Sequence, residues 1–152
     1  MNPTWVRRLD HLARLLPGLW AGLLLCVAFV ATPAPFATLA TADAGRVVAR
    51  IFSVEAPLSL LAGGLLLVWA RRRAAAQVEA GSAGASQFSL DMMLALGAVF
   101  CTVAGYYGLQ PAMAAARAGN SALSFGQWHA VSLGLFALKG LMVLVLAWRA
   151  AR

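Results

Sequence analysis

The chain has 152 residues, of which 62% are hydrophobic and 11% carry a charge. Soluble domains carry about 25% charged residues, and a single soluble core of this length cannot remove so much apolar surface from water. The composition therefore excludes an ordinary soluble domain. The net charge of +7 would suggest nucleic acid for a soluble protein. No basic patch is interleaved with base-stacking aromatic residues, so we expect no nucleic-acid partner.

Four long apolar stretches follow one another along the chain. Their approximate bounds are 15–39, 47–70, 90 to 109 or 117, and 128–148. A helix needs roughly 20 apolar residues to cross the hydrocarbon core, and each stretch is long enough. The same lengths, without period-2 alternation, exclude membrane-spanning strands. The sequence predicts an all-α, polytopic membrane protein: a four-helix transmembrane bundle in the lipid bilayer, forming a single membrane domain over residues 1–152.

The first stretch follows three arginines, at positions 7, 8 and 14, and residues 15–42 carry no charge. Basic residues before an apolar core and small residues after it are also typical of a cleaved secretory signal, whose removal would leave three spans. The apolar run is long for the core of such a signal, so we predict a retained span. Pro33 and Pro35 are expected to break or kink its helix, because proline lacks an amide donor.

The second stretch is predicted to be a helix that Thr41 or Asp43 caps. Glu55 lies inside it, and Ser59 and Gly63 follow on the same face, where small side chains permit close approach of another helix. After it, residues 71–88 open with three arginines and continue mainly in Ala, Gly and Ser. This composition predicts a flexible cytoplasmic linker that joins two helical hairpins.

The third and fourth stretches begin with recognisable caps. Ser89 is predicted to cap the third helix, and Ser124 with Gln127 forms the S-x-x-Q of a capping box before the fourth. Cys26 and Cys101 each lie inside an apolar stretch, where a free cysteine packs as a small hydrophobe. A disulfide between spans is the alternative for these two residues.

The arginines also predict the orientation. Eight lie before the first, after the second or after the fourth stretch, and three lie in the other two connections. By the positive-inside rule, both termini and the central linker are expected in the cytoplasm. We therefore expect a multi-pass protein of the inner, or cell, membrane of a bacterial-type cell.

Two lone charges, Glu55 and Lys139, lie deep within the second and fourth stretches. Each lies roughly 15–18 Å from the non-cytoplasmic side at the rise of an α-helix, and this matching depth favours an interhelical ion pair. One interpretation is a proton or cation site that the pair gates. The other is a purely structural pair, or a snorkelling lysine beside a protonated glutamate.

Other polar residues recur at helical spacing near these charges, mostly in the outer half of the membrane. One interpretation is that they line one shared polar pocket. The alternative is interhelical hydrogen bonding, which is common in helix bundles. The nine residues are Glu55, Ser59, Tyr106, Gln110, Met113, Arg117, His129, Ser132 and Lys139.

Catalytic and metal-binding patterns are absent from the sequence. It has no Gly-rich phosphate loop after a strand, no G-x-S-x-G and no paired carboxylates on a helix face. Ser132 near His129 lacks a third group to orient it, so we expect no enzyme and no catalytic residue. His11 and His129 are predicted on opposite membrane faces and cannot ligate one haem iron, so we predict no cofactor and no metal.

Short motifs on all four stretches resemble the DUF4149 family of TMEM205-like proteins. The residues that carry the resemblance are an APxxF-type segment at 32–39, an AG…F segment at 44–52, PxM…R at 111–117, and HxxS at His129 and Ser132. The resemblance extends over about residues 15–148. It implies a small four-helix integral membrane protein whose biochemical role is unsettled.

The chain departs from the family pattern at three positions. Thr32 stands where alanine is usual, Pro35 adds a second proline, and Lys139 stands near a position where a polar, often uncharged, residue is usual. The resemblance therefore supports His129 and Arg117 more than Lys139. The chain also has a looser resemblance to copper-resistance CopD-like membrane domains. The residues that match the DUF4149 motifs include no second metal ligand, so we do not predict a copper site.

Three functions remain as hypotheses. The first is small-solute or ion handling through the polar pocket. The second is a non-catalytic structural or assembly subunit that binds partner membrane helices or forms a homo-oligomer. The third, with the weakest basis in the sequence, is a haem- or metal-linked membrane protein.

Overall fold

The computed structural model describes the backbone of residues 3–81 and 88–152, and the side chains of residues 12–81 and 88–152. His11 and the first two arginines therefore lie outside the described side chains. The described chain forms six α-helices and contains no strand. They are α1 Pro3–Cys26, α2 Pro33–Thr38, α3 Thr41–Glu79, α4 Leu90–Thr102, α5 Gln110–Arg117 and α6 Phe125–Ala151.

These helices form four segments long and apolar enough to cross a membrane, which confirms the predicted all-α, multi-pass membrane architecture. The four spans are Leu12–Thr38, Thr41–Glu79, Leu90–Arg117 and Phe125–Ala151. The third continues to Arg117, the longer of the two predicted bounds. The second continues beyond residue 70, and residues 71–79 of the predicted linker are helical because Arg, Ala, Gln and Glu are strong helix formers.

Two π-helical turns, Val27–Ala31 and Val103–Gly108, join α1 to α2 and α4 to α5. Each comes shortly before a proline, Pro33 or Pro111, which cannot donate a backbone hydrogen bond. The amides of Thr32 and Leu109 instead bond the carbonyls five residues back. The expected break after the first stretch is therefore a wider turn through which the helical path continues.

The caps of α4 and α6 are as predicted. The Ser89 hydroxyl accepts from the Met92 amide at 3.3 Å, and Ser124 and Gln127 form a complete reciprocal capping box. The predicted cap of α3 is wrong, because Ala40 occupies that position without a side-chain bond. Asp43 instead lies in the first turn, where its carboxylate pairs with Arg46 one turn later.

The four spans pack as a ring in which α1 contacts α6, α6 contacts α4, α4 contacts α3, and α3 contacts α1. Helix α3 therefore lies diagonally opposite α6. The start of α1, the later half of α3 and the end of α6 share one end of the bundle, since Pro17, Leu66 and Leu146 line a common recess there. We name this the terminal end. The opposite end, with the connections at 39–40 and 118–124, is the far end.

Close contact between α3 and α4 depends on a glycine. A Cβ atom built on Gly63 would lie 2.4 Å from Val99 Cγ2 on α4 and 3.3 Å from Trp20 Cη2 on α1. The prediction that Gly63 permits close helix approach is therefore confirmed. Large apolar side chains cover the outside of the ring, as expected for lipid contact. Examples on the four spans are Leu19, Phe29, Leu61, Phe100 and Leu141.

Candidate functional site

An ion pair between Glu55 and Lys139 lies at the centre of the bundle. Each residue lies fourteen positions after the first residue of its helix, Thr41 of α3 or Phe125 of α6, which is roughly 21 Å along the helix axis. Lys139 Nζ donates to Glu55 Oε1 at 2.8 Å, and both side chains are 3% exposed. The predicted pair is present, and it joins the two helices that lie diagonally across the ring.

The carboxylate of Glu55 has a second donor on its own helix. Ser59 lies one turn further along α3, so its hydroxyl faces Glu55 and donates to the same Oε1 atom. Ser59 in turn accepts from Trp20 Nε1 on α1 at 2.9 Å. Trp20 and Ser59 are both buried. A continuous polar chain therefore links three spans, and we name Trp20, Ser59, Glu55 and Lys139 the central network.

Two aromatic rings cover the ion pair on the side of the far end. Phe52 precedes Glu55 by one helical turn and Phe136 precedes Lys139 by one turn. The rings meet edge to face with centroids 5.4 Å apart and planes at 85°. Lys139 Nζ lies 4.8 Å from the Phe136 centroid, which adds a cation–π contact. The rings thus lie one turn closer than the charges to the far end, where both helices begin.

The third span is joined to the fourth by a hydrogen bond and by close packing. Thr102 on α4 is buried, and its hydroxyl donates to the Ala98 carbonyl of its own helix at 2.9 Å. Ser132 on α6 donates to the Gly105 carbonyl at 3.1 Å. A Cβ atom on Gly105 would lie 3.1 Å from Leu135 Cβ. Ser132 therefore serves as interhelical hydrogen-bond glue between the third and fourth spans.

A separate cluster lies at the far end of the bundle. The Arg117 guanidinium lies 4.5 Å from the centroid of Phe125, and the His129 ring stacks on Phe125 with centroids 5.9 Å apart. Both Arg117 and His129 are exposed. Phe125 thus lies between a guanidinium and an imidazole, and we name these three residues the far-end cluster.

The other predicted pocket residues lie on the third span. Tyr106 and Met113 are half-buried and Gln110 is exposed. Tyr106 meets its neighbour Tyr107 edge to face, with centroids 4.9 Å apart. The structure therefore brings Glu55, Ser59 and Lys139 together in the network.

The remaining predicted residues lie closer to the far end than the ion pair does. Two cavities lie at the terminal end of the bundle. None of the nine predicted residues lines either cavity.

Trp20 and Phe52 are members of the site that the sequence patterns did not reveal. Tryptophan in membrane proteins favours the interface, and a buried indole N–H requires an acceptor. A tryptophan inside an apolar stretch is thus a signal for a polar partner such as Ser59. Phe52 carries no comparable signal, because phenylalanine is common on any apolar helix face.

The described part of the chain contains no group of side chains that could hold a metal ion. His, Cys, Asp and Glu side chains there do not come together in groups of three or more. Cys26 is exposed and Cys101 is buried, and both are free thiols.

Comparison with protein families matches residues 15–122 to DUF4149, a domain of unknown function. The chain belongs to the DUF4149 family. The match includes Glu55 and Ser59 but ends before α6, so Lys139, His129 and Ser132 lie outside it. The broader TMEM205-like designation stays a prediction. Comparisons with curated proteins and with solved structures give no match.

Proposed function

We propose that this DUF4149 protein is a non-enzymatic protein of the inner, or cell, membrane that handles a proton or another small cation at Glu55. The observation that carries the proposal is a buried carboxylate inside a membrane span, held by Lys139 and Ser59. Ionisable residues at this depth are costly, and they commonly mark ion or proton pathways.

The chemistry follows from the charges of the pair. A proton that binds Glu55 neutralises the carboxylate and removes its attraction for the Lys139 ammonium. The ammonium would then lie in a region of low dielectric beside the Phe136 ring. Because that state is costly, protonation favours a rearrangement in which water, a solute or another group reaches Lys139.

Access is proposed from the far end, where the Phe52 and Phe136 rings lie one turn beyond the pair. Motion of these two rings would open a path to Glu55. The far-end cluster supplies the first polar groups that a small solute would meet, with Arg117 and His129 exposed. Gln110 and Met113 are proposed as further lining of this entrance.

The test is ion movement by purified protein in liposomes that contain a pH-sensitive dye. We expect a proton or cation flux above that of empty liposomes, and we expect Glu55→Gln to reduce it to that of empty liposomes, because glutamine cannot take up and release a proton. Glu79→Gln is the matched control, because Glu79 is an exposed carboxylate on the same helix. Circular dichroism establishes that both variants are folded.

Two outcomes contradict the proposal. One is a wild-type flux equal to that of empty liposomes over a range of imposed proton and cation gradients. The other is a folded Glu55→Gln variant whose flux equals that of Glu79→Gln. Either result would leave the central network with a structural role.

A structural or assembly subunit is the second candidate, and the outer face of α1 favours it. Gly18 and Gly22 lie one turn apart there, and a Cβ atom on either would meet nothing within 4 Å. This spacing is typical of membrane helices that approach a partner closely. Gly63 does not serve this purpose, because Val99 of the same chain occupies its surface.

Chemical crosslinking in membranes tests the second candidate. Loss of a crosslinked partner, or of a homo-oligomer, in Gly22→Leu but not in Gly64→Leu would support it. Gly64 also faces open space, but on α3. The haem- or metal-linked hypothesis gains no support from the geometry of the described residues.

A further inference from the structure

A cavity of about 290 Å³ opens at the terminal end between α3, α4 and α6. It lies on the side of the bundle that the arginine distribution predicts to be cytoplasmic. Its walls combine polar, charged and small side chains with one indole ring. The lining residues are Trp69, Ala70, Arg73, Ala74, Gln77, Ser89, Asp91 and Arg149.

The charges in this cavity favour an anion. Arg149 Nε donates to Asp91 Oδ1 at 2.5 Å, so these two charges balance. Arg73 forms no ion pair within the described residues, and its guanidinium lies 4.8 Å from the Trp69 ring centroid. A planar guanidinium has a fork of donors that matches the oxygens of a phosphate. The cavity therefore offers one positive charge that no carboxylate of the described chain neutralises.

The cavity has an apolar side as well. A narrow recess of about 30 Å³ shares the walls at Arg73 and Asp91 and continues toward α1. Pro17, Leu66 and Leu146 line it. A ligand that fills both spaces would thus carry an anionic head and begin an apolar chain. Its position also suits such a ligand, because arginine and tryptophan are enriched where a span leaves the membrane.

We propose that this cavity binds the headgroup phosphate of an anionic phospholipid. Arg73 contacts the phosphate, Gln77 and Ser89 offer further polar contacts, and the first apolar carbon atoms of the lipid lie at the recess. Basic pockets between membrane helices on the cytoplasmic side are known to hold anionic headgroups. A free phosphate would also bind Arg73 but would leave the apolar recess empty. Experiments can therefore distinguish a phospholipid from free phosphate as the ligand.

Native mass spectrometry of the full chain in detergent, with added phosphatidylglycerol or phosphatidylcholine, tests the proposal. We expect preferential retention of phosphatidylglycerol. Arg73→Gln is expected to weaken its binding about fivefold, the effect of one arginine near an anionic lipid surface. Arg50→Gln is the matched control, because Arg50 is exposed on the same helix at the far end.

A second variant distinguishes lipid binding from a change in stability. Asp91→Asn removes the one carboxylate of the cavity and frees Arg149. It should strengthen phosphatidylglycerol binding, although it breaks an ion pair.

Three results overturn the proposal. The first is equal phosphatidylglycerol retention by Arg73→Gln and Arg50→Gln, and the second is equal retention of phosphatidylcholine and phosphatidylglycerol by the wild type. The third is full displacement of the lipid by inorganic phosphate, which would assign the cavity to free phosphate.

Discussion

Two ion pairs tie α6 to other helices, and they lie in different surroundings. Glu55 and Lys139 meet at 2.8 Å with both side chains 3% exposed. Asp91 and Arg149 meet at 2.5 Å at the terminal end, where their side chains are 31% and 42% exposed. The charged groups are of similar kinds and the contacts are of similar length, but one pair lies buried inside the bundle and the other lies beside an open cavity.

The difference shows that the environment decides what an ion pair does. Each side chain of the central pair is 3% exposed, so the two charges depend on each other, and Glu55 depends also on Ser59. At the terminal end, solvent and salt screen the charges, and each can exchange its partner at little cost. The central pair therefore constrains the fold strongly. The terminal pair is suited to share its arginine with a bound anion.

The largest expected effect is the loss of one partner from the central pair. Lys139→Met keeps the volume but leaves the Glu55 carboxylate buried without a counter-charge. We expect the free energy of unfolding to fall by about 3–5 kcal/mol, measured by denaturant titration in detergent with circular dichroism.

The matched control for this prediction is the double variant Glu55→Leu with Lys139→Met, which removes both charges and should recover most of the loss. If Lys139→Met alone were as stable as the wild type, the ion pair would not be enclosed.

A smaller effect is expected from the packing beside the central network. Gly63→Ala would place a methyl group 2.4 Å from Val99 Cγ2, so α3 and α4 must separate or repack. We expect a loss of about 1–3 kcal/mol in the same titration.

Gly64→Ala is the control for the glycine substitution, because a methyl group there meets nothing within 4 Å. Its stability should equal or slightly exceed that of the wild type, since alanine favours the helix. Equal losses in the two variants would show that backbone propensity, and not the contact with Val99, governs this region.

The smallest effect is expected at the terminal pair. Arg149→Gln removes a partly exposed ion pair, and we expect a loss of about 0.2–1 kcal/mol in a zwitterionic detergent. Raising the salt concentration should reduce the difference from the wild type, because screening weakens the wild-type pair. A loss as large as that of Lys139→Met would remove the contrast between the two ion pairs.

Much of the fold was predictable because it depends on local pattern. Apolar length predicted the four spans, and the caps at Ser89 and Ser124 were predictable because a cap depends on residues within one turn. The cap at Ala40 was missed because its side chain makes no bond that a pattern can display. The helical extension to Glu79 was missed because the Gly and Ser residues that follow it at 81–86 suit a flexible linker.

The candidate site was predictable only in part, because its members come from different spans. The similar depths of Glu55 and Lys139 pointed to their contact, which the structure contains. The spacing of Tyr106, Gln110 and Arg117 identified a common helix face, but a shared face does not reveal which neighbours that face meets.

The amino-acid sequence by itself determined the membrane architecture, the approximate span bounds and the two charges deep in the spans. These properties follow from hydrophobic length and from residue type, which are local. Only the tertiary structure decided that α3 lies diagonally opposite α6, that Trp20 completes the central network, and that Arg73 faces a cavity beside Asp91 and Arg149. Those relations depend on how helices far apart in the chain pack, and apolar faces of similar composition do not specify that order.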